Sequence, residues 1–370
     1  MITAGRSLVS ARVDRLRAQF PVFERVSYLN AGTNGPVPRR AVDAVAEALR
    51  RQVEDGRGDR EHFEWSQRQI EALRERIAAV LGCDLPEVAL TGSTGDGINA
   101  VLGSLDLGPG DEVLTGDDEH PAVLAPLGAL RERRGVSVRT APLDELPEAV
   151  GPRTRLVACS HVSWMTGSIV DARALAATDA LVLLDGAQAL GAIAVDVREL
   201  GCDFYAASGQ KWLCGPNGIG YLYVRAGLAS TLHAPWPGFV TLAAPERALE
   251  LELHPDARRL SVGYPPPHQT GWALASLDVL EEADMAAVQA RAADLAASFA
   301  ARLGERVRPR GRSTLVSWEA ADPEAQVARL RNEGFVIRYL PGAGAVRASV
   351  GAWSTEDELE RLAELATARG

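Results

Sequence analysis

The chain has 370 residues, 46% of them hydrophobic and 24% charged, an ordinary globular composition long enough for two domains. Its 39 basic and 49 acidic residues leave a formal net charge of −10 with no basic run of five, which excludes a general nucleic-acid binder. No apolar stretch nears the roughly 18 residues of a membrane span. Met1 to Leu8 lacks the pattern of a secretory signal. The four cysteines, Cys83, Cys159, Cys202 and Cys214, form no C-x-x-C pair, so neither a disulfide framework nor a zinc site is expected. A cytoplasmic, reduced protein is the default expectation.

In chain order, an amphipathic pattern predicts a short helix from about Arg12 to Gln19, then an irregular segment, Tyr28-Leu-Asn-Ala-Gly-Thr-Asn-Gly-Pro36. Helical periodicity follows over Arg40–Gln52 and His62–Leu81. Short apolar or β-branched runs then appear at Glu87–Leu90, Glu112–Leu114, Val136–Val138, Leu156–Cys159, Leu181–Leu184 and Phe204–Ala206. Helix-like stretches lie between several of them: Gly97–Leu105, His120–Arg134 and Asp171–Ala177. This alternation predicts an α/β fold with a mostly parallel sheet covered by helices, and such sheets bind ligands beyond the carboxyl ends of their strands.

From about Ala243 the pattern changes. A turn, Tyr264-Pro-Pro-Pro-His268, precedes one long helical stretch from Gly271 to Leu303 that is expected to bridge two domains. Strand candidates Thr314–Trp318 and Ala345–Ser349 flank a helix over Pro323–Asn332, and a last helix, Thr355–Ala366, is expected to be capped by Ser354. The reading is an N-terminal segment, 1–27, packing with the small domain, a large domain over 28–242 and a smaller α+β domain over 243–370.

One count stands out. Lys211 is the only lysine; the other 38 basic residues are arginines. A guanidinium stays protonated and is a poor amine nucleophile, whereas an ammonium loses its proton and forms a Schiff base. Lys211 stands in Ser208-Gly-Gln-Lys-Trp-Leu-Cys-Gly-Pro-Asn-Gly-Ile-Gly220, just past one predicted strand, and Asp185 ends the neighbouring one in Leu183-Leu-Asp-Gly-Ala-Gln188. An acid and an amine at adjacent strand ends are what pyridoxal phosphate requires: the lysine binds the cofactor covalently and the carboxylate keeps its pyridine nitrogen protonated. Upstream, Thr91-Gly-Ser-Thr-Gly-Asp-Gly97 follows a strand and opens a helix, so its backbone N–H groups and hydroxyls suit a phosphate.

The stretch from Tyr28 to about Val224 resembles the class V aminotransferase family of fold type I pyridoxal-phosphate enzymes, through D-G-A-Q at Asp185–Gln188 and S-G-x-K-W-x-x-G-P-x-G-x-G at Ser208–Gly220. The resemblance implies roles for particular residues. Lys211 is the Schiff-base lysine, Asp185 the pyridinium partner and Gln188 a neighbour of the cofactor's phenolic oxygen. Thr94, Gly95, Ser208 and Gln210 bind its phosphate, with Gln210 standing where many members carry histidine. His120, in Asp118-Glu-His-Pro-Ala122, stacks on the ring and moves protons. Arg347, in Val346-Arg-Ala-Ser349, clamps the substrate carboxylate, with Arg338 as a second cation and Trp164 and Asn34 as further substrate contacts. A homodimer is implied, with Ser261–Pro267 reaching the partner's phosphate.

Within the family, a persulfide-forming desulfurase needs a cysteine on a loop in the second half, and the last cysteine here is Cys214, three residues past Lys211. Trp164 in Ser160-His-Val-Ser-Trp-Met-Thr-Gly167, with Glu119-His-Pro121 and the Tyr28-Leu-Asn-Ala-Gly-Thr33 opening, is similar to the cystine C–S lyase and isopenicillin N epimerase-like branch. The resemblance thus implies a C–S lyase acting on cysteine, cystine or a cysteine S-conjugate or sulfoxide. An aminotransferase, an amino-acid epimerase and a non-catalytic cofactor-binding module are the alternatives.

Overall fold

The computed structural model describes residues 12–368, so residues 1–11 of the expected N-terminal segment lie outside the described range. A helix over residues 12–18 leads to strand β1 (Ser27–Tyr28). Here Arg17 donates to Glu358 at 2.6 Å, and the Phe20 ring packs 5.4 Å from that of Trp353. Residues 17–20 therefore sit against residues 353–358.

A seven-stranded sheet forms the largest layer. Its strands are β2 (Val88–Thr91), β3 (Glu112–Gly116), β4 (Ser137–Ala141), β5 (Thr154–Ser160), β6 (Leu181–Asp185), β7 (Phe204–Ser208) and β8 (Gly220–Val224). Their order is β2-β8-β7-β6-β5-β3-β4, and β3 to β7 run parallel. Strands buried on both faces read as continuous apolar runs, which is why Leu156-Val-Ala-Cys159 and Leu181-Val-Leu-Leu184 are visible in the sequence. β8 is not among the predicted strands. It lies antiparallel between β2 and β7, sending Tyr221 and Tyr223 into one apolar layer and Leu222 and Val224 into the other. Its glycine-rich approach, Gly215-Pro-Asn-Gly-Ile-Gly220, hides this alternation in a run that reads as a loop.

Helices cover both faces. Arg60–Leu81 lays Ile70, Leu73, Ile77 and Leu81 onto one side of the sheet, each fully buried aliphatic side chain contributing about 1.5–3 kcal/mol. Thr94–Ser104 and Pro121–Arg134 cover the other side. The long helical stretch expected over Gly271–Leu303 is two helices, Pro267–Glu282 and Met285–Leu303. Asp284 separates them at φ +67°, and its side chain caps the second by accepting the Ala287 N–H. Pro267–Glu282 packs along Arg39–Glu54.

The C-terminal layer is a three-stranded antiparallel sheet of β9 (Leu315–Glu319), β11 (Arg338–Leu340) and β12 (Ala345–Ser349), with β12 in the middle. Between them in the chain, β10 (Phe335–Val336) pairs in parallel with β1, joining Tyr28 to residues more than 300 positions away. The last helix, Glu356–Thr367, is capped by Thr355 and not by Ser354: the Thr355 hydroxyl accepts the Glu358 N–H while the Glu358 carboxylate accepts the Thr355 N–H. Among the described residues no helix is long and apolar enough to cross a membrane, and no cluster of metal-ligating side chains occurs.

Candidate active site

The parallel strands end on one side of the sheet, and the singled-out side chains follow from those ends. β6 delivers Asp185, which is 5% exposed and accepts the Ala187 N–H at 2.8 Å. Lys211 occupies the loop between β7 and β8. That loop is pinned by Gly215 N–H donating to the Gly209 carbonyl, and by Trp272 and Ser276 both donating to the Cys214 carbonyl at 2.9 Å. β3 leads into Glu119 and His120, and His120 caps helix Pro121–Arg134 by accepting the Ala122 N–H at Nδ1. With Nδ1 as acceptor, the ring proton resides on Nε2.

Charge organises this region. Burial lowers the Lys211 amine to about 8; the Asp185 carboxylate opposes that shift and the cations Arg347 and Arg338 add to it. Burial raises Asp185, with the Lys211 charge pulling back. His120 is held neutral, its pKa brought down to about 4 by burial and then by Lys211, Arg338 and Arg347. Lys211 is thus within electrostatic reach of Asp185, His120, Arg338 and Arg347.

Arg347 is 1% exposed. Its Nη1 donates to the Trp164 carbonyl at 2.7 Å, while Nε and Nη2 are buried without any acceptor. Burial and then Arg338 lower its pKa to about 9. Leaving two N–H-bearing atoms of a buried cation unpartnered is costly, and an anion is the partner they lack. Arg338 faces Arg347 across the β11–β12 ladder, donates to the Thr33 hydroxyl at 3.3 Å and stands 6.0 Å over the Trp164 ring. The same indole meets His120 edge-on at 5.2 Å and donates to the Asp118 carbonyl. Trp164 thus links the cation pair to the histidine.

Ser208, at the end of β7, closes on Thr94: its Oγ accepts the Thr94 N–H at 3.2 Å and shares a hydrogen bond with Thr94 Oγ1 at 2.5 Å. Ser93 caps helix Thr94–Ser104 through the Asp96 N–H. Gly95 follows Thr94 in the first turn, where free backbone N–H groups at a helix start suit an anion.

The segment after β1 reaches into this region. Gly35 N–H donates to the Gln210 carbonyl at 2.7 Å, and a Cβ on Gly35 would overlap the Lys211 carbonyl oxygen, so only glycine allows this approach. Gln188 is buried with its amide engaged, Nε2 donating to the Gly32 carbonyl and Oε1 accepting from Trp212. Asn34 stands apart: it is exposed, and its carbonyl accepts the Tyr28 hydroxyl. Two groups beside the site have no role assigned in the sequence reading. Glu119 is a buried carboxylate bound to Ser160, and His161 is a buried imidazole 3.0 Å from the Tyr205 hydroxyl. The signal for Glu119 was its place directly before His120; His161 carries none that separates it from a core histidine.

The family model for class V aminotransferases matches residues 27–316. A cysteine desulfurase of Klebsiella pneumoniae (strain 342) is 36% identical over 249 residues, and the isopenicillin N epimerase of Streptomyces clavuligerus is 33% identical over 238. The first match spans 61% of each chain; the second spans 58% of this chain and 57% of the epimerase, so the chain covers about three-fifths of these relatives. Among solved structures, the cystine C–S lyase C-DES in complex with its reaction product, cysteine persulfide, superposes with a TM-score of 0.88 at 26% identity, covering 94% of this chain and 99% of that one. A cysteine desulfurase from Escherichia coli superposes with a TM-score of 0.83 at 26% identity, covering 95% and 97%. By the family match over most of its length, the chain belongs to the class V aminotransferase family.

Proposed function

We propose that this chain is a pyridoxal-phosphate-dependent enzyme that acts on an amino acid and cleaves a C–S bond by β-elimination, taking cysteine, cystine or a cysteine S-conjugate or sulfoxide. The observation that carries the reading is Arg347, a buried guanidinium with two unclaimed nitrogens whose charge is felt by the sole lysine, as is that of Asp185. The residues present fit the cofactor. Lys211 would hold it covalently, Asp185 would sit against the pyridine nitrogen, and His120 would lie over the ring. Thr94, Gly95, Ser208 and Gln210 would take the phosphate, and Gln188 would approach the phenolic side through its remaining amide hydrogen. When bound, the cofactor supplies an electron sink for bond breaking at the substrate's α- and β-carbons.

The protein's own residues do the rest. Arg347 binds the α-carboxylate through a bidentate pair of charge-assisted hydrogen bonds. With a pKa of about 8, the Lys211 amine has a sizeable free-base fraction near neutral pH and is the group able to take the α-proton. Asp185 is buried, and its carboxylate charge opposes the lowering of the Lys211 pKa. Trp164, His120 and Arg338 wall the site, and neutral His120 offers its Nε2–H. Support for elimination over persulfide transfer comes from the cysteines. Cys159, Cys202 and Cys214 are buried, Cys83 is partly buried, and burial pushes all four thiols up, so none offers a thiolate.

The test supplies the protein and pyridoxal phosphate with L-cystine, L-cysteine, a cysteine S-conjugate and L-alanine, each with and without a keto acid. Pyruvate and ammonia form from the sulfur substrates without an acceptor. Turnover only with an acceptor would replace this reading with an aminotransferase. Exchange of the α-proton without pyruvate would replace it with an epimerase, the activity named for the Streptomyces relative. Borohydride fixes the cofactor to the wild-type chain and not to Lys211→Ala, which has no second lysine to take over.

We also propose a cytoplasmic homodimer. Support for the dimer is the exposed apolar surface of Phe63, Phe239 and Tyr264 around a hollow of about 270 Å³ that includes Ser261, Gly263 and Pro265. This is the segment expected to reach a partner's phosphate, and Val262 N–H ties it to Leu90 at 3.0 Å. A monomeric sedimentation profile with full activity would overturn it. Four unpaired cysteines suit a reducing compartment.

A further inference from the structure

The Glu119 carboxylate, one residue before His120, is 5% exposed, and no cation pairs with it among the described residues. It turns back to grip a neighbouring strand: Oε1 accepts the Ser160 N–H at 2.7 Å and Oε2 accepts the Ser160 hydroxyl at 2.5 Å. Room for this comes from Gly116, where a Cβ would stand 2.8 Å from Glu119 Oε1 and 3.2 Å from its Cγ. Ser160 ends β5 and pairs in register with Asp185 of β6, and the next residue, His161, donates its N–H to the Asp185 carbonyl at 2.9 Å. One carboxylate therefore ties the loop that carries His120 to the strand end beside Asp185.

Resting on the reading of the site given above, we propose that Glu119 is a positioning residue, whose carboxylate holds His120 over the cofactor position by clamping its loop to Ser160. A buried carboxylate is a costly choice for a purely structural tie, and it is offset here by the two hydrogen bonds from the Ser160 N–H and hydroxyl. Burial raises its pKa to about 7; the Ser160 donors oppose this, and the Asp185 charge adds to it. The other titratable groups near it are the buried Cys159, whose thiol is pushed up by burial and then by both carboxylates, and Asp117, Asp118 and Asp144, which line an adjoining cavity of about 330 Å³. None of them supplies a positive charge, so the clamp works by hydrogen bonding and geometry.

Amide hydrogen exchange on the cofactor-free protein tests this, because the Ala122 N–H is bonded to the His120 ring and reports where it sits. Glu119→Ala is expected to raise exchange about ten-fold at both Ser160 and Ala122. Glu119→Gln keeps the clamp, with Oε1 accepting the Ser160 N–H and Nε2 donating to its hydroxyl, so Ala122 protection returns to within about three-fold of wild type. Faster exchange at Ser160 with Ala122 unchanged would overturn the proposal, since His120 would then be held by its own cap. If Glu119→Ala does not fold, Ser160→Ala removes one donor and is expected to move Ala122 in the same direction; no change there would overturn it equally.

In the holoenzyme, Glu119→Ala is expected to lower kcat more than it raises KM, and to cost nothing further in a His120→Ala background; additive losses would overturn the proposal. The exchange measurement needs no substrate, so it stands or falls separately from the reaction, which the wild-type product assay decides.

Discussion

Arg347→Met separates stability from function at a single side chain. Without substrate, Arg347 is a buried cation whose Nε and Nη2 have no acceptor, and its pKa falls from 12.5 to about 9. At about 1.4 kcal/mol for each factor of ten, that drop corresponds to roughly 5 kcal/mol of unfavourable burial. Methionine has a similar length and no charge, so it removes this cost. It also deprives the Trp164 carbonyl of its donor, a loss of about 1–3 kcal/mol. The ligand-free variant is therefore expected to be about 2–4 kcal/mol more stable at pH 7 by urea denaturation, as when buried ionic groups are replaced by apolar ones. The pH dependence has a definite sign. The folded pKa is depressed, so the penalty is fully present below pH 9 and is relieved as the pH rises towards 12.5, and the advantage of the variant shrinks over that window. Catalysis moves the other way. Losing two charge-assisted hydrogen bonds to a carboxylate, each about 1.5–3 kcal/mol, is expected to lower kcat/KM at least about a hundredfold. A destabilised Arg347→Met with unchanged KM would refute the reasoning, because the guanidinium would then be a structural group and not a vacant anion site.

Asp185→Asn preserves shape and removes the negative charge nearest Lys211, so the lysine pKa is expected to fall below about 8, and kcat to drop by orders of magnitude while cofactor retention changes less; spectrophotometric titration and steady-state kinetics check both. Gly35→Ala forces a methyl group into the Lys211 carbonyl and to 3.0 Å from Cys214 Cα, both backbone positions. It is expected to cost about 1–3 kcal/mol in urea denaturation and to lower activity beyond that loss by displacing the lysine loop.

Much of the molecule is written in contiguous residues. The central parallel strands announce themselves because they are buried on both faces, as the edge strand β4 is not, and Asp185 and Lys211 stand out because they follow such runs directly. The helices Arg60–Leu81 and Pro323–Asn332 carry their periodicity and their Asp59 and Asp322 caps within a few positions. Lys211 needed no structure at all to be noticed, since a single lysine among 39 basic residues is a property of composition.

What was not legible depends on partners far away in the chain. β8 reads as part of a glycine-rich loop until β2 and β7 flank it, and the break at Asp284 is visible only once its side chain is seen to satisfy the Ala287 N–H. Glu119 meets Ser160 across 41 positions, Gly35 meets Gln210 and Lys211 across some 175, and β1 pairs with β10 across about 300. Such contacts have no local signature, because their loop-closure cost is met only when the sheet and its helices form together. By itself, the sequence determined the alternating elements, the acid and amine at adjacent strand ends and the absence of a poised cysteine. Tertiary structure alone decided that Arg338 and Arg347 face each other across one ladder, that two buried nitrogens of Arg347 lack partners, and that a carboxylate clamps the histidine loop. Periodicity is a property of neighbours along the chain, whereas desolvation and hydrogen-bond satisfaction are properties of neighbours in space.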